Sequence, residues 1–390
     1  MVRGGRRPSS PAPEPNPSLE VEDLLGQHLL RLPPRPSSLP RASLVCKQWR
    51  RLLSDPHFLR RFRGRQAKPP LLGFFSHDFD GCKIEFTPAL DPPDRVPPAL
   101  FFLALDGAKS VVLGCRHGRV LAVDWACIHI LIWDPASGDR LPVVIPPVFD
   151  YMPHTINGAI VCAAGNEGHA HGDCSSNPFQ VIMVGSSWEG VYASVYSSAA
   201  DAWGNLVSAL WPSPIPPGDP IHPFFSNDCP STLVGNCVYW LLIGWSASIL
   251  EFDLGAQSLA IIEAPPNVYQ VHAVVNRESQ FLFTSADGGE LGFLVFSVPR
   301  FSAQLWKRDG IAGWVLGNTI ELSNLLSLTP SVDTAPPKIV GFFEGDNAII
   351  TRTYDGVFMV YLEPLLFKKL SERMAHYLYH PFASFYPGGT

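Results

Sequence analysis

The chain is 390 residues long, 46% hydrophobic and only 16% charged, which suits a small module ahead of one large body with many buried strands. Its longest unbroken apolar runs, Pro98 to Leu105 and Val238 to Trp245, cover about eight residues against the roughly 20 that a membrane helix requires, so no transmembrane segment is expected. The net charge of -6 conceals a split: residues 1–70 carry 14 Lys and Arg against 5 Asp and Glu, whereas the remainder carries 15 against 30.

Residues 1–17 are rich in Pro and Arg and lack an apolar stretch, the signature of a disordered tail rather than a signal peptide. The spacing of Val21, Leu24, Leu25, Leu29 and Leu32 then predicts a helix with one apolar face, capped at Ser18 and stopped by Pro33-Pro34. Ser37 or Ser38 can cap a second helix bearing Ala42, Val45, Trp49 and Leu52 as its stripe. Asp55-Pro56 restarts the chain helically, with Asp as cap and Pro in the first turn.

Three short helices in this head, residues 18–68, bury too little surface to stand alone. Some of Leu24, Leu25, Leu29, Leu44, Val45 and Trp49 should therefore be covered only in a complex. A basic head on an acidic body points to an acidic partner. The run Arg60, Arg61, Arg63, Arg65 and Lys68 also raises nucleic acid as a partner, but it lacks interleaved aromatics beyond Phe62 and reads as a solvated helix face.

From Pro69-Pro70 onward, short apolar runs alternate with turns rich in Gly, Asp, Asn and Pro. A loose unit of three strands recurs. Arg119–Val123, His129–Trp133 and Arg140–Ile145, with the turn Asp134–Asp139, form its clearest copy. The second is Phe179–Gly185, Gly190–Tyr196 and Trp203–Val207. The third is Cys237–Ile243, Ser248–Phe252 and Ser258–Ile262, with the turn Asp253–Gln257. The fourth is Gln280–Thr284, Leu291–Val298 and Ala303–Trp306, and the fifth Asn347–Arg352, Gly356–Tyr361 and Leu365–Leu370. Such repetition over residues 69–390 predicts a mostly β fold, a β-propeller of about six to eight blades, with a pair of sandwiches as the alternative. Leu71–Phe75 and Tyr377–Tyr386 are the natural strands to close such a ring.

Candidate chemistry in the body is thin. His169, His171, Asp173 and Cys174 fall within six residues, yet no second half of a metal site accompanies them, and a solvated loop is the reading taken. Gly244–Ser248 approaches the G-x-S-x-G pattern in a strand-turn-strand setting, hence a hairpin turn. Asp78, Asp80 and Glu85 could pair as carboxylates but read as a wet acidic loop. No catalytic residue, metal or cofactor is assigned. Eight cysteines without paired spacing, and no N-glycosylation acceptor, fit a reducing compartment, the cytosol or the nucleus.

The head resembles an F-box. The matching residues are Asp23-Leu24-Leu25, Leu29-Leu30-Arg31-Leu32-Pro33, Leu39, the run Ala42-Ser43-Leu44-Val45-Cys46-Lys47-Gln48-Trp49-Arg50-Arg51-Leu52, and Asp55-Pro56 with Phe58. Leu19-Glu20 stands where that family commonly opens with Leu-Pro, and the first loop carries an extra Pro36. With Pro69–Phe75, the Trp133–Pro142 turn region and the terminal His380–Pro387, the whole chain resembles plant, especially grass, F-box proteins with a propeller-like C-terminal domain. The resemblance implies a non-catalytic substrate receptor of an SCF-type ubiquitin ligase. The F-box would bind a Skp-family adaptor, and through it a cullin, while the β-body binds a target protein; neither a membrane nor a nucleic acid is expected as partner. A propeller hydrolase or lectin, and a nucleic-acid-binding regulator, are the alternative readings.

Overall fold

The computed structural model describes residues 17–385 apart from 67, 78–82, 102, 105–109, 125–128, 150–155, 164–173, 175–176, 213–222, 227–228, 245–246, 266–278, 287–288, 299, 311–312, 327–336 and 373–377, with backbone alone at 17–22, 77, 83, 104 and 279. Four helices come first: α1 (Pro17–Leu29), α2 (Ser38–Ser43), α3 (Lys47–Leu53) and α4 (Pro56–Arg65). Pro17 opens α1 one residue before the expected cap, at the position where a missing N–H costs nothing. Asp55 caps α4, its side chain accepting the His57 N–H at 3.0 Å.

The single helix expected after Ser37 is two. Cys46 adopts an extended backbone, φ -161° and ψ 170°, and becomes the N-cap of α3, its thiol accepting the Trp49 N–H at 3.5 Å. An apolar stripe at helical spacing cannot reveal this break, because Ala42, Trp49 and Leu52 still face one core on either side of it.

Six antiparallel sheets follow. Blade 1 holds β1 (Leu71–His77), β2 (Lys83–Pro88) and β3 (Leu103–Ala104); blade 2 holds β4 (Ser110–Arg116), β5 (Arg119–Asp124), β6 (His129–Trp133) and β7 (Arg140–Val144). Blade 3 runs through β8 (Ile156–Cys162), β9 (Phe179–Ser186), β10 (Gly190–Ser197), β11 (Ala202–Trp203) and β12 (Val207–Leu210). Blade 4 starts with two short inner pieces, β13 (Phe224–Phe225) and β14 (Thr232–Val234), and continues with β15 (Cys237–Ile243), β16 (Ala247–Asp253) and β17 (Ser258–Glu263). Blade 5 is β18 (Ser279–Ser285), β19 (Leu291–Ser297), β20 (Ser302–Asp309) and β21 (Gly313–Glu321), ending in the short helix α5 (Leu322–Leu325). Blade 6 is β22 (Lys338–Phe343), β23 (Ala348–Thr353), β24 (Gly356–Tyr361) and β25 (Leu366–Ser371). The last strand, β26 (His380–Ala383), returns to blade 1 and pairs with β1, so the fold is a closed six-blade propeller.

Both faces of each blade are covered by neighbours, and strands such as β5 are buried at every residue, which is why they read as unbroken apolar runs. Outer strands β7 and β25 are largely exposed. The β6–β7 hairpin of blade 2 and the β16–β17 hairpin of blade 4 share one device. Asp134 Oδ1 accepts the N–H of Ala136 and Ser137, Asp253 Oδ1 accepts those of Gly255 and Ala256, and each turn closes through a left-handed residue, Gly138 (φ 83°) or Gln257 (φ 51°).

Ring closure is cemented from both sides. Phe382 on β26 meets Phe75, Phe86 and Phe101 at centroid distances of 5.2, 6.5 and 5.6 Å, in the core shared by blades 1 and 2. A bulge between Leu71 and Gly73 lets β1 follow β26, and a Cβ at Gly73 would stand 2.4 Å from the Phe86 ring, so only glycine fits. Phe382→Ala should lower unfolding stability by about 3–5 kcal/mol, as expected for a buried aromatic, whereas Leu366→Ala on the exposed rim should change it by less than about 0.5 kcal/mol. Paired denaturant melts check both.

Candidate functional site

The head's own core is small: Leu29, Leu30, Ala42, Leu53, Phe58 and Phe62 are buried, with Leu25, Leu32, Leu39, Trp49 and Leu52 packed partly against them. Of the six side chains singled out by sequence, Leu29 is 3% exposed and belongs to this core, while Leu25 and Trp49 are half-buried on its edge. Leu24, Leu44 and Val45 are the ones displayed, at 62%, 74% and 62% exposure. The break at Cys46 explains the last two. A continuous helix would have turned Val45 toward the Trp49 stripe; instead it stands with Leu44 on the corner between α2 and α3, ringed by the exposed cations Arg41, Lys47, Arg50 and Arg51. Exposed aliphatics flanked by cations are suited to a partner surface with an apolar centre and an acidic rim.

On the propeller, the head-side mouth of the central channel is crossed by a polar bridge that links three alternate blades. Arg116, at the end of β4, donates from Nε to both carboxylate oxygens of Glu344 at 3.0 Å and from Nη1 to Ser231 Oγ at 3.1 Å; Nη2 also donates to the Ser231 carbonyl. Glu344 Oε1 accepts the Leu233 N–H at 2.9 Å as well. Lys68, the turn at Arg116–Gly118, Ser231–Leu233, Glu344 and Ala383 line this mouth, a cavity of about 380 Å³. Sequence reasoning missed this bridge. Arg116 and Glu344 are 228 residues apart, and no local pattern marks either for the other.

The loop candidates fare variously. His169, His171 and Asp173 lie outside the described residues; Cys174 is buried, and its carbonyl accepts from Arg119 Nη2 at 2.6 Å. Trp245 and Ser246 also lie outside, but the flanking pair Ile243 and Ala247 is in antiparallel register, which is hairpin geometry. Asp78 and Asp80 are outside as well, while Glu85 pairs with Ser76 in the blade 1 sheet. Among the described residues no group of three or more His, Cys, Asp or Glu is placed to hold a metal ion, and no helix is long and apolar enough to cross a membrane. Burial and the Asp201 carboxylate push the Tyr196 phenol up to about 12, and burial with Glu251 raises Tyr239 further; both serve as hydrogen-bond donors at neutral pH, at 2.6 and 2.8 Å.

Residues 29–61 match the F-box domain family. The chain thus carries an F-box domain followed by a six-blade propeller. No curated protein matches the chain. Among solved structures it is similar to apo AztD from Citrobacter koseri (TM-score 0.40, 13% identity, 79% of this chain and 88% of that one) and to the Dos1 propeller (0.38, 11%, 78% and 68%). It is similar also to the periplasmic gluconolactonase PpgL of Pseudomonas aeruginosa (0.37, 13%, 65% and 66%). These likenesses are distant, and the propeller assignment rests on the strand pairing of the chain itself.

Breaking a largely buried ion pair from one side leaves an uncompensated charge, so Arg116→Ala should destabilise the propeller by about 3 kcal/mol, the low end of the usual range because Glu344 keeps some solvent contact. The apolar double replacement Arg116→Met with Glu344→Leu should cost clearly less. A double-mutant cycle in denaturant measures the difference.

Proposed function

We propose that the protein is the substrate-receptor subunit of an SCF-type cullin-RING ubiquitin ligase, with residues 18–68 binding a Skp-family adaptor and residues 69–390 holding the target. The observation that carries this reading is the F-box match at residues 29–61 coinciding with a head that displays Leu24, Leu44 and Val45. The chain's part is non-catalytic. It tethers the target so that its lysines reach a high effective concentration near a charged conjugating enzyme, a gain set by geometry rather than by a reacting side chain here. Such a protein would work in the cytosol, the nucleus or both.

Leu44 and Val45 form the centre of the proposed adaptor interface, with Leu24 beside them; Trp49 and Leu25 support it from beneath and Leu29 holds the core on which it rests. Replacing Leu44 and Val45 together by Asp should leave the thermal melt nearly unchanged, because both are exposed, and should weaken capture of a purified Skp-family adaptor by tens of fold, about 2 kcal/mol or more. Full-strength capture by the folded double variant would reject the assignment. Trp49→Ala is less clean, since its loss disturbs head packing as well.

The target surface is the propeller face away from the head. Successive turns of an up-and-down blade alternate between faces. The head sits with the turns after β4 and β22, whereas the turn joining β9 to β10 lies opposite and presents Trp188, 56% exposed. Aromatic anchors of this kind dominate many interfaces. Affinity capture with a stalled proteasome should recover stabilised proteins with wild type that are depleted with Trp188→Ala; an identical set from both would remove this residue from the target site.

A further inference from the structure

The head and the propeller do not share an apolar core. Every member of the head's cluster lies between Leu25 and Phe62, and among the described residues no propeller cluster includes a head residue. Polar contacts between described residues tie them at two points, on either side of the closing seam. On blade 1, Asp94, in the connection between β2 and β3, receives the Ser37 N–H at 3.1 Å and the Ser37 hydroxyl at 2.6 Å on Oδ1, with Arg35 Nη1 3.6 Å from Oδ2. On blade 6, Lys68 donates to the Gly345 carbonyl at 2.9 Å and pairs with Asp346. Ser37 is the N-cap position of α2, yet its side chain caps nothing within its own helix; it reaches across to the propeller instead.

The two points are unequal. Lys68 is more than half exposed, and an exposed ion pair of this kind contributes little. Asp94 is 7% exposed, so its carboxylate has exchanged water for Ser37 and Arg35, and losing one of them while the head stays seated leaves it short of a partner. We infer that Asp94 is a latch that fixes the orientation of the helical head on the propeller face, and that breaking its contacts with Ser37 and Arg35 frees the head to turn relative to the propeller. A hydrophobic interface would resist one lost contact; this mount does not. Under the ligase reading, which this inference uses only for its consequence, the latch sets the distance between the adaptor and the bound target.

Three full-length variants test it: Asp94→Ala, Ser37→Ala and Ser37→Asp. The last keeps a good N-cap residue on α2 while setting a second carboxylate against Asp94. Amide exchange over residues 37–43 and small-angle scattering are read together with the melt of the propeller. With the latch as inferred, Ser37→Asp and Asp94→Ala speed exchange at Ser37 by at least tenfold and increase the radius of gyration, Ser37→Ala falls between them and wild type, and the propeller melt does not move. Exchange and scattering equal to wild type in Ser37→Asp would overturn the latch, as would a Ser37→Asp effect that arrives only with a lowered propeller melt. If Asp94→Ala alone fails to fold, the two Ser37 variants still decide the question. Adaptor capture is scored separately: its absence in wild type would reject the ligase reading and leave the orientation test standing.

Discussion

The pairing of β26 with β1 is the constraint on which the rest of the molecule depends. Blades 2 to 6 are contiguous in sequence and could each form locally, but a ring of sheets is stable only when every inter-blade face is covered, and the face between blades 6 and 1 exists only after the last strand has come home. The same junction carries the head. The Ser384 N–H donates to the Pro70 carbonyl, so the residue just after the closing strand is bonded to the residue at which the helical module joins β1. Asp94 on blade 1 and Asp346 on blade 6 flank that point. An F-box mounted elsewhere would ride on one blade; mounted here, it inherits its rigidity from closure of the whole ring.

Inside the ring the seams are held by two kinds of force with different roles. Aromatic and aliphatic clusters supply most of the burial but are non-directional. Directional contacts fix how far each blade is turned: Trp203 Nε1 donates to the Val144 carbonyl across blades 3 and 2, Trp314 Nε1 to the Glu263 carbonyl across blades 5 and 4, both at 2.9 Å, and the Gln280 side chain bonds both backbone groups of Ile339 across blades 5 and 6. The Arg116 bridge does the same across the channel. Burying an arginine and a glutamate has a desolvation cost that their attraction alone does not guarantee to offset. Here two serine acceptors and a backbone N–H complete both groups, so the pair defines the spacing of blades 2, 4 and 6 and obstructs the channel on the head side.

The parts of this fold legible in sequence are those with local signals. Helix starts at Asp55-Pro56, the hairpin turns at Asp134 and Asp253, and the central strands of each blade follow from capping, Asx geometry and unbroken burial. Inner strands were harder. The recurring unit read from sequence begins at the second strand in blades 2, 3, 4 and 6, because β4 is interrupted by Gly114 and the inner strand of blade 4 is split into β13 and β14. The outer strand β21 escaped for the opposite reason: nearly all of it is exposed, and Gly313, Gly317 and Asn318 give it the texture of a loop. Asp94, Arg116 and Glu344 lay beyond reach in principle, since each acquires meaning only from a partner dozens to hundreds of residues away. The break at Cys46 was hidden because both helices share one core, so the spacing of apolar residues stays helical across it.

That break also bears on why the head is built as it is. The six buried side chains among the described residues of this head cannot stabilise it by burial alone, and a longer α2 continuing through residue 52 would have given more helix hydrogen bonds and drawn Val45 toward the stripe. The chain instead spends Leu44 and Val45 on solvent, with Cys46 rather than a strong Ser or Asp cap restarting α3. Local rules violated together at one corner are what the proposed adaptor interface would require of the head. The Ser37 and Lys68 ties to the propeller lie on other connections of the head, so covering this corner would leave both in place. On the proposed reading, docking would use the exposed aliphatics of this corner, whereas the head is mounted through Ser37 on the buried Asp94 carboxylate of blade 1.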